Sequence, residues 1–563
     1  MLKNVKAHVT AAALVAMVGA TGCFDFEAAQ EQCERDGRCD GRPDGGPDGG
    51  PDPCEPTSPD DPPGDFIDSN CDGVDGLANV GFFVDPQGGD DRNPGTLERP
   101  VQTIRQALTL LRNDAGPGIS ALYLARGTYN EEQLNLDVPV SLYGAYGGVA
   151  DFWRRKAEHI THLDGGTVGL TVSNLGEDSG VRMEWLTITS ATGNDAGTAS
   201  IALRVLGTQG LRLHHATIVA GPGSPGAPGA DGQTGANGPD GGWGQDAGGA
   251  TAGRSGSGGG ANTHFCGTIP SWGGSGNLGG VRTAGSPGAA GQPPPDGGTG
   301  GDGGVLGSRL PQGANAFFCE AGHGQHGSPG VPGRLGPAGL GGADNIGELR
   351  DGLWSPTSSA QGQGGQTGTP GTAGGGGGSG GSCPQDTNDP SAPDVAAGAG
   401  SAGGGAGGCG GQGGGGGGPG GASIGVLLID STVNLGDVNL QVQGGGFGGR
   451  GGMGGYGGVG GLGGQGGFAS TNATQSTWTS LQYFTYGGNG GSGGHGGDGG
   501  TGGPGGGGTG GPSVGVWCSN GGVEVTGTVT RSVKPGGSGG ASSVNQGANG
   551  QAFDSQGCTP PFP

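Results

Sequence analysis

The sequence predicts an all-β solenoid, a stack of short strands around one shared core, interrupted by long glycine-rich insertions. Two observations support this prediction. A pattern of three short strands with alternating apolar residues occurs four times, and 152 of the 563 residues are glycine, which leaves only 30% hydrophobic residues for a core. A unit of about twenty residues cannot bury its own apolar side chains, so the copies are expected to stack on one another.

The clearest copy of this repeat lies at residues 200–221. Its apolar positions are Ile201/Leu203, Leu211/Leu213 and Ile218. The equivalent positions are Leu170/Val172, Val181/Met183 and Ile188 in the preceding copy, Ile424/Val426, Val433/Leu435 and Leu440 in the third, and Val514/Val516, Val523/Val525 and Val529 or Thr530 in the fourth. Alternation with period two buries one side of each strand and exposes the other.

The first 22 residues have the features of a secretory signal peptide. Lys3 and Lys6 precede an apolar run at residues 9–20 that is too short to span a membrane. The following Ala-Thr-Gly-Cys resembles the lipobox of bacterial lipoproteins, in which Cys23 would carry the lipid. This resemblance implies a lipid-anchored protein of the outer membrane or cell surface. The alternative is an ordinary signal peptide whose Cys23 forms a disulfide.

Residues 23–79 are predicted to form an acidic stalk rich in Pro, Gly and Cys, because they contain almost no apolar residues. Near its end, Asp68, Asn70 and Asp72 alternate along the chain and are followed by glycine and Asp75, as in the first half of a calcium-binding loop. The segment also resembles metal-binding repeats of bacterial surface proteins. These four residues are candidate Ca²⁺ ligands, although the glutamate that completes such a loop is absent. The alternative is an acidic turn held by a disulfide.

Eleven cysteines leave an even number if Cys23 carries a lipid. None of the others has the close spacing of a zinc site, so we expect structural disulfides in an oxidising compartment. The candidates fall into three groups, Cys33, Cys39, Cys54 and Cys71, then Cys266, Cys319, Cys383 and Cys409, then Cys518 and Cys558. The sequence leaves the pairing within each group of four open.

The most specific resemblance begins at residue 80. FVDPQGGDDRNPGTLERPVQTIRQAL from Phe83, LYLARGTY from Leu122 and LYGAYG from Leu142 resemble the opening of the right-handed parallel β-helices of the pectin-lyase-like superfamily. The resemblance implies such a β-helix, with an N-terminal capping helix. The apolar face of this helix is predicted to consist of Val101, Ile104, Leu108 and Leu111. The predicted coils occupy residues 80–220, 423–443 and, with the C-terminal tail, 513–563.

Two glycine-rich insertions, residues 221–422 and 444–512, separate these coils. The first contains collagen-like Gly-X-Y tracts, and the second is nearly pure Gly-Gly-X. A period of three matches the turn of a polyproline II helix, and the pattern resembles polyglycine II bundles. The X residues would then form one apolar ridge, Phe447, Met453, Tyr456, Val459, Leu462 and Phe468. The ridge would pack on the β-helix or face a partner, and the alternative is a disordered low-complexity loop.

Stacked coils place equivalent outward residues beside one another. On the middle strands these residues are Arg182/Glu184, Arg212/His214, Asn434/Gly436 and Glu524/Thr526. Glu184 beside His214, flanked by Arg182 and Arg212, is the one arrangement that resembles a catalytic acid and base. The alternative is a solvated charged face.

The formal charge of −24, from 48 acidic and 24 basic residues, disfavours nucleic acid as a partner. We expect a structural or adhesive surface protein that binds polysaccharide or envelope components and is not an enzyme. One alternative is a polysaccharide lyase or glycoside hydrolase on the β-helix. Another is a surface module organised by Ca²⁺.

Overall fold

The computed structural model describes most of the chain from residue 54 onward. The described residues are 54–59, 61–113, 118–176, 179–311, 313, 315–343, 346–350, 352–384, 396–475, 480–559 and 562. The predicted signal peptide, Cys23, Cys33, Cys39 and the beginning of the stalk lie outside them. The chain divides into two compact units, residues 1–60 with 69–71, and residues 61–68 with 72–563. In the first unit, a disulfide joins Cys54 to Cys71.

The second unit is mostly β-structure and contains three long parallel sheets. Sheet A consists, in spatial order, of β1 (Gly81–Val84), β2 (Ala121–Ala125), β5 (Ser141–Tyr146), β8 (Arg182–Glu184), β11 (Leu211–His214), β20 (Thr432–Gly436) and β25 (Gly522–Val525). Sheet B consists of β3 (Gly127–Asn130), β6 (Thr161–Asp164), β9 (Leu186–Thr189), β12 (Thr217–Ala220), β21 (Val438–Val442) and β26 (Val529–Val533). Sheet C consists of β4 (Asn135–Leu136), β7 (Val168–Ser173), β10 (Ser200–Leu206), β19 (Ser423–Ile429), β24 (Ser513–Ser519) and β27 (Ala552–Gln556).

From β7 onward the strands of these sheets follow one another in the chain in the rotation C, A, B. Each predicted copy of the repeat supplies one strand to each sheet, and Leu213 pairs with Met183 on one side and Leu435 on the other. The predicted register is confirmed for all copies in sheet A. The sequence did not reveal β27, a further sheet C strand that pairs with β24.

The predicted equivalence of Ile201 with Leu170 is wrong by two residues, because Leu203 pairs with Leu170. Ile201 is buried, but on the outer side of sheet C, where it packs with Ile424 and Trp354. An outward apolar residue covered by an insertion looks in sequence like one that faces the core. In the fourth copy, Val529 pairs with Val438, so Arg531 occupies the place of Leu440.

The inward side chains of all three sheets form one hydrophobic cluster. The helix α1 (Ile104–Arg112) covers part of this cluster with Ile104, Ala107 and Leu108. The Thr103 hydroxyl caps the helix by accepting from the amide of Gln106 at 3.1 Å. The predicted helix is therefore confirmed, although Val101 precedes it. No helix among the described residues is long and apolar enough to cross a bilayer.

Both insertions lie between a strand of sheet B and a strand of sheet C. Their described residues contain four antiparallel strand pairs that make up three small sheets. The pairs are β13 (Phe265–Cys266) with β14 (Ile269–Pro270), β15 (Ser308–Pro311) with β16 (Ala316–Glu320), β17 (Glu348–Arg350) with β18 (Leu353–Ser355), and β22 (Thr471–Gln475) with β23 (Gln482–Tyr486). Strands β16 and β23 pair in parallel and so join the two insertions.

The glycine-rich tracts of both insertions, together with residues 536–550, form one hydrogen-bonded body, here called the glycine bundle. Every third amide of residues 226–244 donates to every third carbonyl of residues 447–465, at 2.7–2.8 Å, so these tracts run parallel. Every third amide of residues 446–467 donates to carbonyls of residues 421–400, so those tracts run antiparallel. This repeat matches the three-residue turn of a polyglycine II helix.

Side chains inside the glycine bundle are very small. Ala399, Ser401, Ala402 and Ala406 have no exposed surface. A β-carbon at Gly455 would lie 2.0 Å from the carbonyl oxygen of Gln233, so this position accepts only glycine. Backbones can approach this closely because two of every three residues in the Gly-Gly-X tracts lack a side chain.

Candidate functional site

The outer face of sheet A contains the predicted acid and base. Glu184 on β8 is in register with His214 on β11, and Arg182 is in register with Arg212. The Glu184 side chain is only 8% exposed, whereas that of His214 is 47% exposed. Burial raises the pKa of Glu184, and Arg155, His214 and Arg182 act against this rise. A carboxylate that substrate cannot reach is poorly placed for general acid catalysis.

Behind Glu184 lies Arg155, a buried residue that sequence reasoning did not identify. Its Nη1 is 3.2 Å from Oδ2 of Asp75, and its Nη2 is 4.0 Å from Oε2 of Glu184. The guanidinium also lies over the ring of Tyr146, 5.0 Å from its centroid. Glu184 and Asp75 therefore both neutralise one internal cation, which accounts for their burial without a catalytic role.

The candidate calcium ligands are bound to backbone amides. Asp68 accepts from Gly73 at 2.9 Å, and Asp72 accepts from Ala78 at 2.8 Å. Asp75 points to Arg155, and burial raises the pKa of its carboxyl. The trio of carboxylates that this region brings together, among the described residues, is Asp61, Asp65 and Asp75. Asn70 belongs to the other compact unit.

A polar groove of about 1130 Å³ crosses the outer face of sheet C. On its floor, Arg204 donates to the Thr171 hydroxyl at 3.0 Å, and Ser173 donates to Oδ1 of Asn135 at 3.0 Å. The rims are formed by residues 132–133, 165–168 and 191–199, and by Leu353 and Trp354 of the hairpin β17–β18. Because these segments are far apart in the chain, the sequence repeat gave no signal for the groove.

Trp354 fixes the hairpin to the sheet at the edge of this groove. Its indole packs with Ile201 in a buried cluster, and its Nε1 donates to the Ile346 carbonyl at 2.8 Å. The glycine-rich insertion therefore contributes one wall of the groove.

The glycine bundle exposes the predicted apolar ridge. The six ridge side chains are 60–76% exposed, namely Phe447, Met453, Tyr456, Val459, Leu462 and Phe468. Four of their amides donate to side chains of the neighbouring tract, from Met453 to Asp231, Val459 to Asn237, Leu462 to Asp240 and Phe468 to Asp246. The ridge therefore has a fixed backbone beneath exposed side chains.

The predicted disulfides are confirmed for the eight described cysteines. The pairs are Cys54–Cys71, Cys266–Cys409, Cys319–Cys383 and Cys518–Cys558. Two of them lie in the first insertion, and the last joins β24 to the C-terminal tail.

No protein-family model matches this chain, and neither a curated protein nor a solved structure is significantly similar to it. The resemblance to pectin-lyase-like β-helices therefore depends on the quoted motifs alone.

Proposed function

We propose that this protein is a lipid-anchored surface protein that binds an extended, uncharged polysaccharide and does not cleave it. The observation that carries this proposal is the groove on sheet C. Its lining offers the guanidinium of Arg204 and the amide of Asn135, which can donate to and accept from sugar hydroxyls. The groove is open, as binding to the middle of a long polymer requires.

The charges around the groove support an uncharged ligand. The lining contains Glu132 and Asp195 at the rims and Arg204 on the floor, and the whole chain has a formal charge of −24. A polyanionic glycan would meet unfavourable potential on approach. The rotation of strands through the three sheets further supports a parallel β-helix, a fold that presents continuous outer faces.

The surface location is supported by the N-terminal sequence. A signal peptide followed by the lipobox-like residues before Cys23 would attach the protein to the outer membrane or cell surface. Asp68 and Asp72 stay candidate Ca²⁺ ligands, whereas Asp75 is paired with Arg155. Replacement of Cys23 by serine should release the protein from membranes, whereas continued membrane association would contradict the lipid anchor.

The test of binding is affinity electrophoresis of the purified protein in gels that contain neutral or acidic polysaccharides. We expect retardation by at least one neutral polymer, and its loss in Arg204→Gln and Asn135→Ala. Lys534→Gln, which removes an exposed cation outside the groove, is the matched control. Unchanged retardation in both groove variants would refute the proposal.

A second candidate function is hydrolysis or lyase cleavage, for which the observation is the register of Glu184 with the exposed His214. Formation of cleavage products from the same polymers would distinguish catalysis from binding. Turnover that Glu184→Gln abolishes would replace binding with catalysis as the function of this protein.

A further inference from the structure

The corner that follows β11 brings two histidines and one carboxylate together. The rings of His214 and His215 have centroids 4.1 Å apart, and Nε2 of His214 is 3.5 Å from Oδ2 of Asp437. One ligand atom from each of the three residues lies within 4.8 Å of the other two. Asp437 is 222 residues beyond His215 in the sequence, so only the stacking of strands unites them.

The backbone accounts for this convergence. His214 pairs with Gly436, so the next residues, His215 and Asp437, occupy equivalent corners. Both have left-handed backbones, with φ of 49° and 51°. A β-carbon at Gly436 would lie 2.6 Å from Cδ2 of His214, so the glycine leaves the space that the imidazole fills.

Two further contacts orient the carboxylate and the second histidine. Oδ1 of Asp437 accepts from the amide of Thr528 at 3.0 Å, while its Oδ2 faces His214. The ring of His215 stacks on Trp185 with a centroid distance of 4.5 Å. Such outer contacts orient ligands at metal sites.

We propose that His214, His215 and Asp437 bind a first-row divalent transition metal ion of the Zn²⁺ class. Zinc lies about 2.0–2.1 Å from imidazole nitrogen and about 2.0–2.2 Å from carboxylate oxygen, so tetrahedral ligand atoms are roughly 3.4 Å apart. The separation of 3.5 Å between His214 and Asp437 matches this geometry. A ring nitrogen of His215 lies within 4.8 Å of the other two ligand atoms and supplies the third ligand, and water completes the shell.

The ligand chemistry selects the metal. Two imidazoles and one carboxylate suit Zn²⁺, Co²⁺ or Ni²⁺, whereas Ca²⁺ takes six or more oxygens.

Among the described residues, a second group that contains histidine cannot serve in the same way. His264 lies near Cys266 and Cys409, but these two cysteines form a disulfide and have no thiolate to offer. The site at the corner after β11 uses no sulfur and is independent of the groove on sheet C.

The test is isothermal titration of the purified full-length protein with ZnCl₂, after removal of metals with EDTA. We expect one site whose affinity falls at least tenfold in His214→Ala, His215→Asn and Asp437→Asn. Asparagine is chosen at the two corners because it tolerates left-handed backbone. His326→Ala, which removes a histidine of the glycine bundle, should bind Zn²⁺ as the native protein does.

Two further measurements separate ligation from loss of fold. Gly436→Ala keeps every ligand but displaces His214, so it should also weaken Zn²⁺ binding. Co²⁺ added to the unmodified protein should give visible d–d absorption that one equivalent of Zn²⁺ removes. Absence of Zn²⁺ binding to the native protein would overturn the proposal. So would a Zn²⁺ affinity in the three ligand variants that equals that of the native protein.

Discussion

The amide of Met453 donates a 2.8 Å hydrogen bond to Oδ1 of Asp231, a residue 222 positions earlier in the chain. Asn237, Asp240 and Asp246 make the same contact with Val459, Leu462 and Phe468, always at a separation of 222 residues. The Gly-X-Y tract thus supplies acceptors to the outward amides of the Gly-Gly-X tract. Two tracts that look like low-complexity sequence are therefore joined by specific side-chain hydrogen bonds.

The first prediction concerns this pairing. Asp231→Ala should lower the free energy of unfolding by about 1 kcal/mol, because an amide loses its charged acceptor at a partly solvated site. Hydrogen exchange at the Met453 amide should accelerate as well. Thr234→Ala, three residues further along the same tract, is the control, and equal effects of the two variants would contradict the pairing.

The second prediction concerns the spacing of the tracts. Gly455→Ala would place a methyl group 2.0 Å from the Gln233 carbonyl oxygen, whereas a β-carbon at Gly364 would lie 3.5 Å from its nearest neighbour. We expect Gly455→Ala to destabilise the protein by about 1–3 kcal/mol. Gly364→Ala should be neutral or stabilising by up to about 1 kcal/mol. Thermal and denaturant unfolding measure both, and comparable losses would be evidence against close packing at Gly455.

The third prediction concerns the start of α1. Both carboxylate oxygens of Glu131 accept amides of the first helical turn, from Ile104 at 2.7 Å and Arg105 at 2.8 Å. Glu131→Ala should cost about 2 kcal/mol of unfolding free energy, because two helix-terminal amides lose their acceptor. Glu132→Ala is the neighbouring control, and a loss no greater than the control's would rule out this capping role.

The fourth prediction is a pH dependence at Glu184. Burial raises the pKa of this carboxyl in the folded protein above its unfolded value of about 4.3. The folded state therefore binds the proton more tightly, and its stability falls as the pH rises through the folded pKa. Relative to the native protein, Glu184→Gln should gain unfolding free energy between pH 4 and neutrality. The exposed Glu98→Gln should show no such trend, and a reversed slope would mean that Arg155 outweighs burial.

The sequence predicted the positions of the strands better than it predicted what packs against each face of the sheets. Period-two alternation located the middle strands, and Met183, Leu213 and Leu435 are paired in the expected register. The same rule misplaced Ile201, because alternation cannot distinguish burial in the core from burial under an insertion. Ile201 is buried because it packs with Trp354, a residue of the first insertion that lies more than 150 positions later in the sequence.

The candidate site shows a similar limit. Glu184 and His214 were predicted to be neighbours and are in register. Arg155 lies next to Glu184 and Asp437 lies next to His214. Both residues come from other segments of the chain and belong to no motif that the sequence shows. Period three also predicted that the glycine tracts associate, but the period alone does not specify which tracts are neighbours.

The three-residue spacing of the hydrogen bonds has a consequence for how this chain can change over generations. Loss of a single residue from the tract at 445–468 would rotate every later residue, turning ridge side chains into the glycine interior. Only insertion or deletion of residues in multiples of three keeps the X residues on the outer side of the tract. The tracts that face it must then change length by the same number of residues. The length of the glycine bundle should therefore vary among descendants in matched steps, with the intervening strands unaltered.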